Sequence, residues 1–227
     1  VDYGDVKSTQ ILLETKGCKT NVQTTVHKLA PLHFAAQDGK TQLVRMLLDH
    51  GAYVNIINHT SCTPLYFAVC GKHLDTVKLL LSRKADVNIG DSNKISPLLQ
   101  AVSINVPLTQ ILLNHGAEMS SFCRELHTAL LANKPDVAMF ILDNLKTDLS
   151  PNRIGRSPLQ NATAHISGDP DEAVKLMQNL IEHGDDVNYI NNYGTVLHVL
   201  IGRTSYLIDE NYIDLVAQKC FDYVVSL

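Results

Sequence analysis

Ten histidines and five cysteines in 227 residues prompt a search for metal and acid–base chemistry. Zinc needs Cys and His ligands that converge, commonly through close pairs such as Cys-x-x-Cys or His-Glu-x-x-His. Neither pairing occurs, and Cys18, Cys62, Cys70, Cys123 and Cys220 lie scattered. Their odd number fits reduced thiols in a cytoplasmic or nuclear protein better than a disulfide framework. A nucleophilic Ser or Cys needs a base and an orienting third group in one pocket, and no such grouping stands out. The glycines fall singly, so no phosphate-cradling G-x-x-x-x-G-K loop is present. Asp169, Asp171 and Glu172 cluster, but not at the spacing of a Ca²⁺ loop, and read as a solvated turn or helix start. These residues point to no catalysis, no metal and no cofactor.

The elements that carry these side chains repeat. Pro31-Leu32-His33-Phe34-Ala35-Ala36 is followed by Leu47-Leu48, Gly51-Ala52 and Val54-Asn55. Pro64-Leu65-Tyr66-Phe67-Ala68 is followed by Leu80-Leu81, Lys84-Ala85 and Val87-Asn88, 33 residues on, and Pro97, Leu98 and Ala101 restate the same positions after another 33. A fixed period of this size means stacked supersecondary units. Thr63 and Ser96 supply an N-cap oxygen just before a proline suited to the first helical turn. Alanines let a neighbouring helix approach, and Gly39 suits the left-handed residue that ends the helix. Leu43, Val44, Leu47 and Leu48 then form the buried stripe of a second helix closed by Gly51. Residues 52–61 have the composition of an extended polar turn.

Helix, turn, helix and protruding turn at this period, with T-P-L-[HY]-x-A and G-A-x-V-N, resemble the ankyrin repeat. Residues 29–95 carry nearly the whole consensus, and a looser form spans the chain. The resemblance implies an all-α solenoid of stacked helix-turn-helix units with protruding hairpin loops, working as a non-catalytic scaffold that binds a partner protein. It also implies that His33, His127 and His198, at the fourth place of P-L-H, tie their own turns by hydrogen bonds. His50, His115 and His183 precede the helix-ending glycine, where a partly positive ring suits the helix C-terminus.

Taken in order, a partial repeat occupies about 1–24, where Gly4-Asp5-Val6 leads into Ile11, Leu12 and Leu13 but the first helix is missing, which reads as a fragment or a modified N-terminus. Repeats follow at about 25–58, 59–91, 92–120, 121–150, 151–187 and 188–227, as one array. In the third, Pro107 opens a helix with Ile111, Leu112 and Leu113, and Met119-Ser120 replaces Val-Asn. The fourth lacks the Thr-Pro start but keeps Leu126 and Ala129, which Leu159 and Ala162 echo 33 residues later. The fifth has about six extra residues around His165 to Asp171, with Gly168, Asp169 and Pro170 marking loop. The sixth has a long segment through Thr204 to Glu210 and an apolar ending with Ile213, Val216, Val224 and Val225, which suggests removed repeats or a covering partner.

Net charge is −4 with no block of basic residues, against nucleic acid as a main partner. No apolar run approaches the roughly 18 residues of a membrane span, so membrane insertion by this segment is not expected. What remains is a surface. In the ankyrin family partners lie across hairpin tips and the exposed side of the first helices, which here selects Ile57, Asn58, His59, Thr60, Asp91, Asn93, Arg153, Arg156, Ile190 and Tyr193 at tips. On first helices it selects Phe34, Gln37, Phe67, Cys70, Gln100, Ser103 and Asn161. Phe34 and Phe67 would stack in one column, either as anchors or simply as packing between repeats. Arg153 and Arg156 suit a clamp on a partner carboxylate, or are solvated tip charges. Asn55, Asn88 and Asn188 match the family's asparagine hydroxylation position. A second reading is a cytosolic or regulatory array cut from a larger ion channel, toxin or enzyme.

Overall fold

A computed structural model describes residues 6–119, 124–144, 149–165, 167–206 and 215–227. Gly4, Asp5, Ser120, Cys123, Glu210 and Ile213, named above, lie outside these. Among the described residues the regular secondary structure is thirteen helices, with one isolated bridge between Asn191 and Gly194. The chain separates into two compact units, Val1–Glu118 and Met119–Leu227.

Unit 1 holds α1 (Val6–Glu14), α2 (Pro31–Gln37), α3 (Thr41–Asp49), α4 (Pro64–Cys70), α5 (Leu74–Ser82), α6 (Pro97–Ala101) and α7 (Val106–Asn114). The first helices start where their caps put them. The Thr63 hydroxyl accepts from the Tyr66 N–H at 3.2 Å and the Ser96 hydroxyl from the Leu99 N–H at 3.1 Å, each with proline in the first turn. Ala30 has no such oxygen, and the His33 ring bonds back to the Ala30 N–H at 3.0 Å instead. Asn105 caps α7 through the Leu108 N–H, with Pro107 in the first turn.

Short helices of five to nine residues cannot persist alone in water. They persist by stacking: α2 packs on α4 and α4 on α6, while α1, α3, α5 and α7 form a second row in sequence. Leu32, Leu65 and Leu98 occupy equivalent buried positions, as do Ala35, Ala68 and Ala101, which let helices close up. In the second row Val44, Val77 and Leu80 are fully buried. In α7 the buried residues are Leu108, Thr109 and Leu112, so Ile111 and Leu113 flank the stripe rather than form it. Gly39 combines a left-handed backbone (φ +67°) with a missing Cβ that makes room for the His73 ring of the next pair, whose Nε2–H donates to the Gln37 carbonyl at 2.9 Å. Lys72 occupies the equivalent left-handed position without that help (φ +61°).

Unit 2 holds α8 (Arg124–Leu131), α9 (Pro135–Asn144), α10 (Pro158–His165), α11 (Pro170–Glu182), α12 (Val196–Tyr206) and α13 (Leu215–Ser226). First helices again pair in a row, α8 with α10 and α10 with α12, and second helices likewise, α9 with α11 and α11 with α13. Leu126, Leu159 and Leu200 are fully buried, as are Ile141 and Leu176. Two sequence expectations need correction. Of the insertion read as loop, Ser167, Gly168 and Asp169 do lie outside the helices, but Pro170 and Asp171 already belong to α11, because Asp169 caps it through the Asp171 N–H at 2.9 Å and Pro170 opens it, giving 13 residues against 12 in α13 and nine or ten in the other second helices. The segment placed between helices from Thr204 is helical through Tyr206.

Burial sets an expected cost. Leu80 is fully buried on α5, which packs against α3, α4 and α7, and Leu80→Ala should lower unfolding free energy by about 2–5 kcal/mol in chemical denaturation; an unchanged midpoint would mean that Leu80 is not enclosed.

Candidate partner-binding surface

The hairpin tips are built by one recurring device. The Asn58 carboxamide oxygen accepts from the N–H groups of Thr60 (3.0 Å) and Cys62 (2.9 Å), and Asp91 accepts from Asn93 and Ile95, both at 2.9 Å. Asn152 does the same for Ile154 and Arg156, and Asn191 for Tyr193. An Asx side chain thus closes each of these four tips on itself. Asn58 and Asp91, read from sequence as facing a partner, therefore hold their own turns, and Asn58 is buried.

A second set of side chains joins successive repeats. Asn21 accepts from the Tyr53 N–H and donates to the Gly51 carbonyl, at 2.8 and 2.9 Å. Asn55 accepts from the Asp86 N–H (2.8 Å), and Asn88 from the Glu118 N–H (2.9 Å) while donating to the Gly116 carbonyl. The asparagines singled out for hydroxylation at 55 and 88 are thus ties between hairpins, and Asn188 is exposed.

The histidine of P-L-H does more than tie its own turn. His33 Nδ1 accepts from Ala30 N–H, and Nε2–H donates to the Cys62 carbonyl of the next repeat at 3.1 Å. His127 donates to the Ser150 carbonyl at 3.1 Å and accepts from Asn161 at 2.7 Å. Where the motif has Gln160 instead, its amide donates to the Gly194 (2.7 Å) and Tyr189 (3.2 Å) carbonyls. Gln160 escaped sequence reading, although it stands in the histidine's place. So did Asp185, which replaces the alanine of Gly-Ala-x-Val-Asn. It is buried and accepts from the Leu159 N–H at 2.7 Å. His50, His115 and His183 each donate through Nδ1–H to the carbonyl four residues back at 2.8 Å, which specifies their expected role at helix ends.

The remaining candidates point outward to different degrees. Phe34 is 47% exposed and borders an open groove with Val22, Leu29 and Leu43, whereas Phe67 is half-buried with its ring edge-on to His33 at 5.5 Å. The proposed column therefore has one free and one packed member. Gln37 is exposed and Gln100 half-buried. Asn161, expected on the open face, is fully buried against His127. Cys70 is exposed as a residue, but its sulfur sits against the Tyr66 side chain, and burial there pushes the thiol up to about 11, so it stays protonated at neutral pH. Cys18, Cys62 and Cys70 carry no disulfide.

At the tips, Ile57 is 47% exposed, and His59 is open and bonded to the His27 carbonyl, with the two rings 5.1 Å apart. Asn93 and Arg153 are exposed. Arg156 does not splay out beside Arg153. Its guanidinium lies 4.2 Å over the Tyr193 ring, joining two candidates that sequence treated separately. Ile154, also exposed, was missed; an isoleucine two residues after a turn-forming asparagine is the signal that marked it.

Burial lowers the His33 pKa from 6.5, so the folded chain holds the neutral ring that the Ala30 N–H requires. Its contribution to stability is present above about 6.5 and is lost as pH falls and the unfolded chain takes up the proton. Burial raises Asp185 to about 6, with the opposite sign: its contribution is present below the ordinary carboxylate value and lost as pH rises to about 6. His33→Ala should cost about 1–3 kcal/mol, because it leaves buried backbone groups unpaired. His33→Gln, on the precedent of Gln160, should cost less and flatten the loss between pH 7 and 5 in thermal melts. Equal melting of His33→Ala and the parent would contradict the tie.

Among the described residues no three His, Cys, Asp or Glu side chains converge as a metal-binding group, and no helix is long and apolar enough to cross a membrane. The family model for ankyrin repeats, in three copies, matches residues 1–91. No curated protein matches the chain. With helix pairs, capped first helices and Asx-closed hairpins in the register that this family repeats, residues 1–91 belong to the ankyrin repeat family.

Proposed function

We propose that the chain is a non-catalytic scaffold that binds a partner protein through its hairpin tips and the open side of its first helices. Ankyrin repeats are generally protein–protein interaction modules. What supports the finer reading is the division of labour among side chains. Most polar groups that sequence offers for chemistry are spent on caps, tips and ties between repeats, as with His33, His127, Gln160, Asn55 and Asn88. The groups left over are outward-facing apolar and cationic ones: Phe34, Ile57, Ile154, Ile190 and Arg153. Aromatic and arginine anchors on a surface held by its own hydrogen bonds bind with little loss of entropy.

Affinity capture tests this. The chain should retain a specific set of proteins that a Phe34→Ala, Ile57→Ala, Arg153→Ala variant loses, while both melt within a few degrees of each other, since all three residues are exposed. Recovery of the same proteins by both would remove the tips and first-helix face as the binding surface.

A further inference from the structure

In unit 2 two hairpin tips are locked into one platform. The Asn191 amide donates to the Gly155 carbonyl at 2.6 Å and to Gln160 Oε1 at 2.8 Å, so the tip at 152–156 and the tip at 190–194 keep a fixed relation. Arg156 lies between them. One face of its guanidinium covers the Tyr193 ring at 4.2 Å, and Nη1 meets the His165 ring nitrogen at 3.5 Å. Its Nε–H is buried with no acceptor. A cation held in this way between a ring face and an imidazole nitrogen has its geometry set and meets no carboxylate among the described residues.

Many of the described cations, Lys72, Lys84 and Lys94 among them, meet no carboxylate, and three do. Lys40, Arg83 and Lys219 each meet a carboxylate, at 3.6, 2.7 and 2.7 Å. Arg153 and Arg156 meet none among the described residues, in a chain whose net charge is −4. Beside them stand Ile154, 60% exposed, Ile190, 69% exposed, and Tyr193, 50% exposed. Two uncompensated guanidinium groups flanked by aliphatic surface complement a carboxylate next to an apolar side chain. A nucleic acid backbone would need a longer track of cations and would gain nothing from Ile154 and Ile190.

From this juxtaposition we infer that the platform of residues 153–156 and 190–193 takes an acidic segment of a partner protein, one bearing Asp or Glu beside Ile, Leu or Phe. This deepens the scaffold reading and rests on it. The carboxylate pairs with Arg153 and the open edge of Arg156, and the apolar side chain covers Ile154 and Ile190.

Panning random dodecapeptides displayed on phage against the purified chain tests the inference. Enriched peptides should pair acidic with apolar residues, bind more weakly as salt is raised, and lose about tenfold in affinity to Arg156→Gln and to Arg153→Gln, the loss of roughly one charge-assisted hydrogen bond. Arg153 is exposed, so that variant stays folded even if Arg156→Gln does not. Peptides without acidic excess, acidic peptides that bind both variants as tightly as the parent, or equal binding of oligothymidylate would overturn the inference and leave the wider reading standing. Absence of any peptide binding would likewise overturn the inference, and the wider reading falls only if affinity capture by the parent chain also fails.

Discussion

No helix pair in this chain can complete itself. Helices of five to thirteen residues expose both apolar flanks and unmatched backbone groups at every end, and only the next pair along supplies what is missing. The hydrogen bonds show the dependence directly. Gln37 receives His73, Thr41 meets Thr76 at 2.8 Å, Cys62 receives His33, and Asn133 bonds Ser167, each across roughly one repeat. Packing follows the same rule, since first helices touch first helices and second helices touch second helices in each unit. Stability is then a sum over neighbours, and polar residues that in a closed globule would serve chemistry are drawn into holding the stack.

That constraint explains what was legible in the sequence. The 33-residue recurrence of Pro-Leu and Ala fixed where first helices lie, because capping and burial at those positions use the same few residue types each time. The insertion in the fifth repeat was misread at one end only: Gly168 does stand in the loop, but Pro170 looks like a loop residue until Asp169 is recognised as a cap and the proline as a first-turn residue. Punctuating residues mark both ends of helices and the loops between them, and composition alone does not say which.

The candidate surface was less legible than the fold. Whether a tip residue faces outward depends on which backbone groups its side chain can reach, and a linear pattern does not carry that. Asn58 and Asp91 turn inward to close their hairpins, Asn161 is buried by His127, and Arg156 is drawn over a tyrosine 37 residues away. Ile57, Arg153 and Tyr193 are exposed, and so is Ile154, which went unselected.

The dependence of each repeat on its neighbour can be measured at a single amide. The Asp86 N–H has the Asn55 carboxamide, from the preceding hairpin, as its acceptor at 2.8 Å. In native-state hydrogen exchange, Asn55→Ala should speed exchange at Asp86 by about tenfold while amides within α2 and α3 keep their protection. An Asp86 amide that exchanges at the parent's rate would show that the repeats stand without such ties.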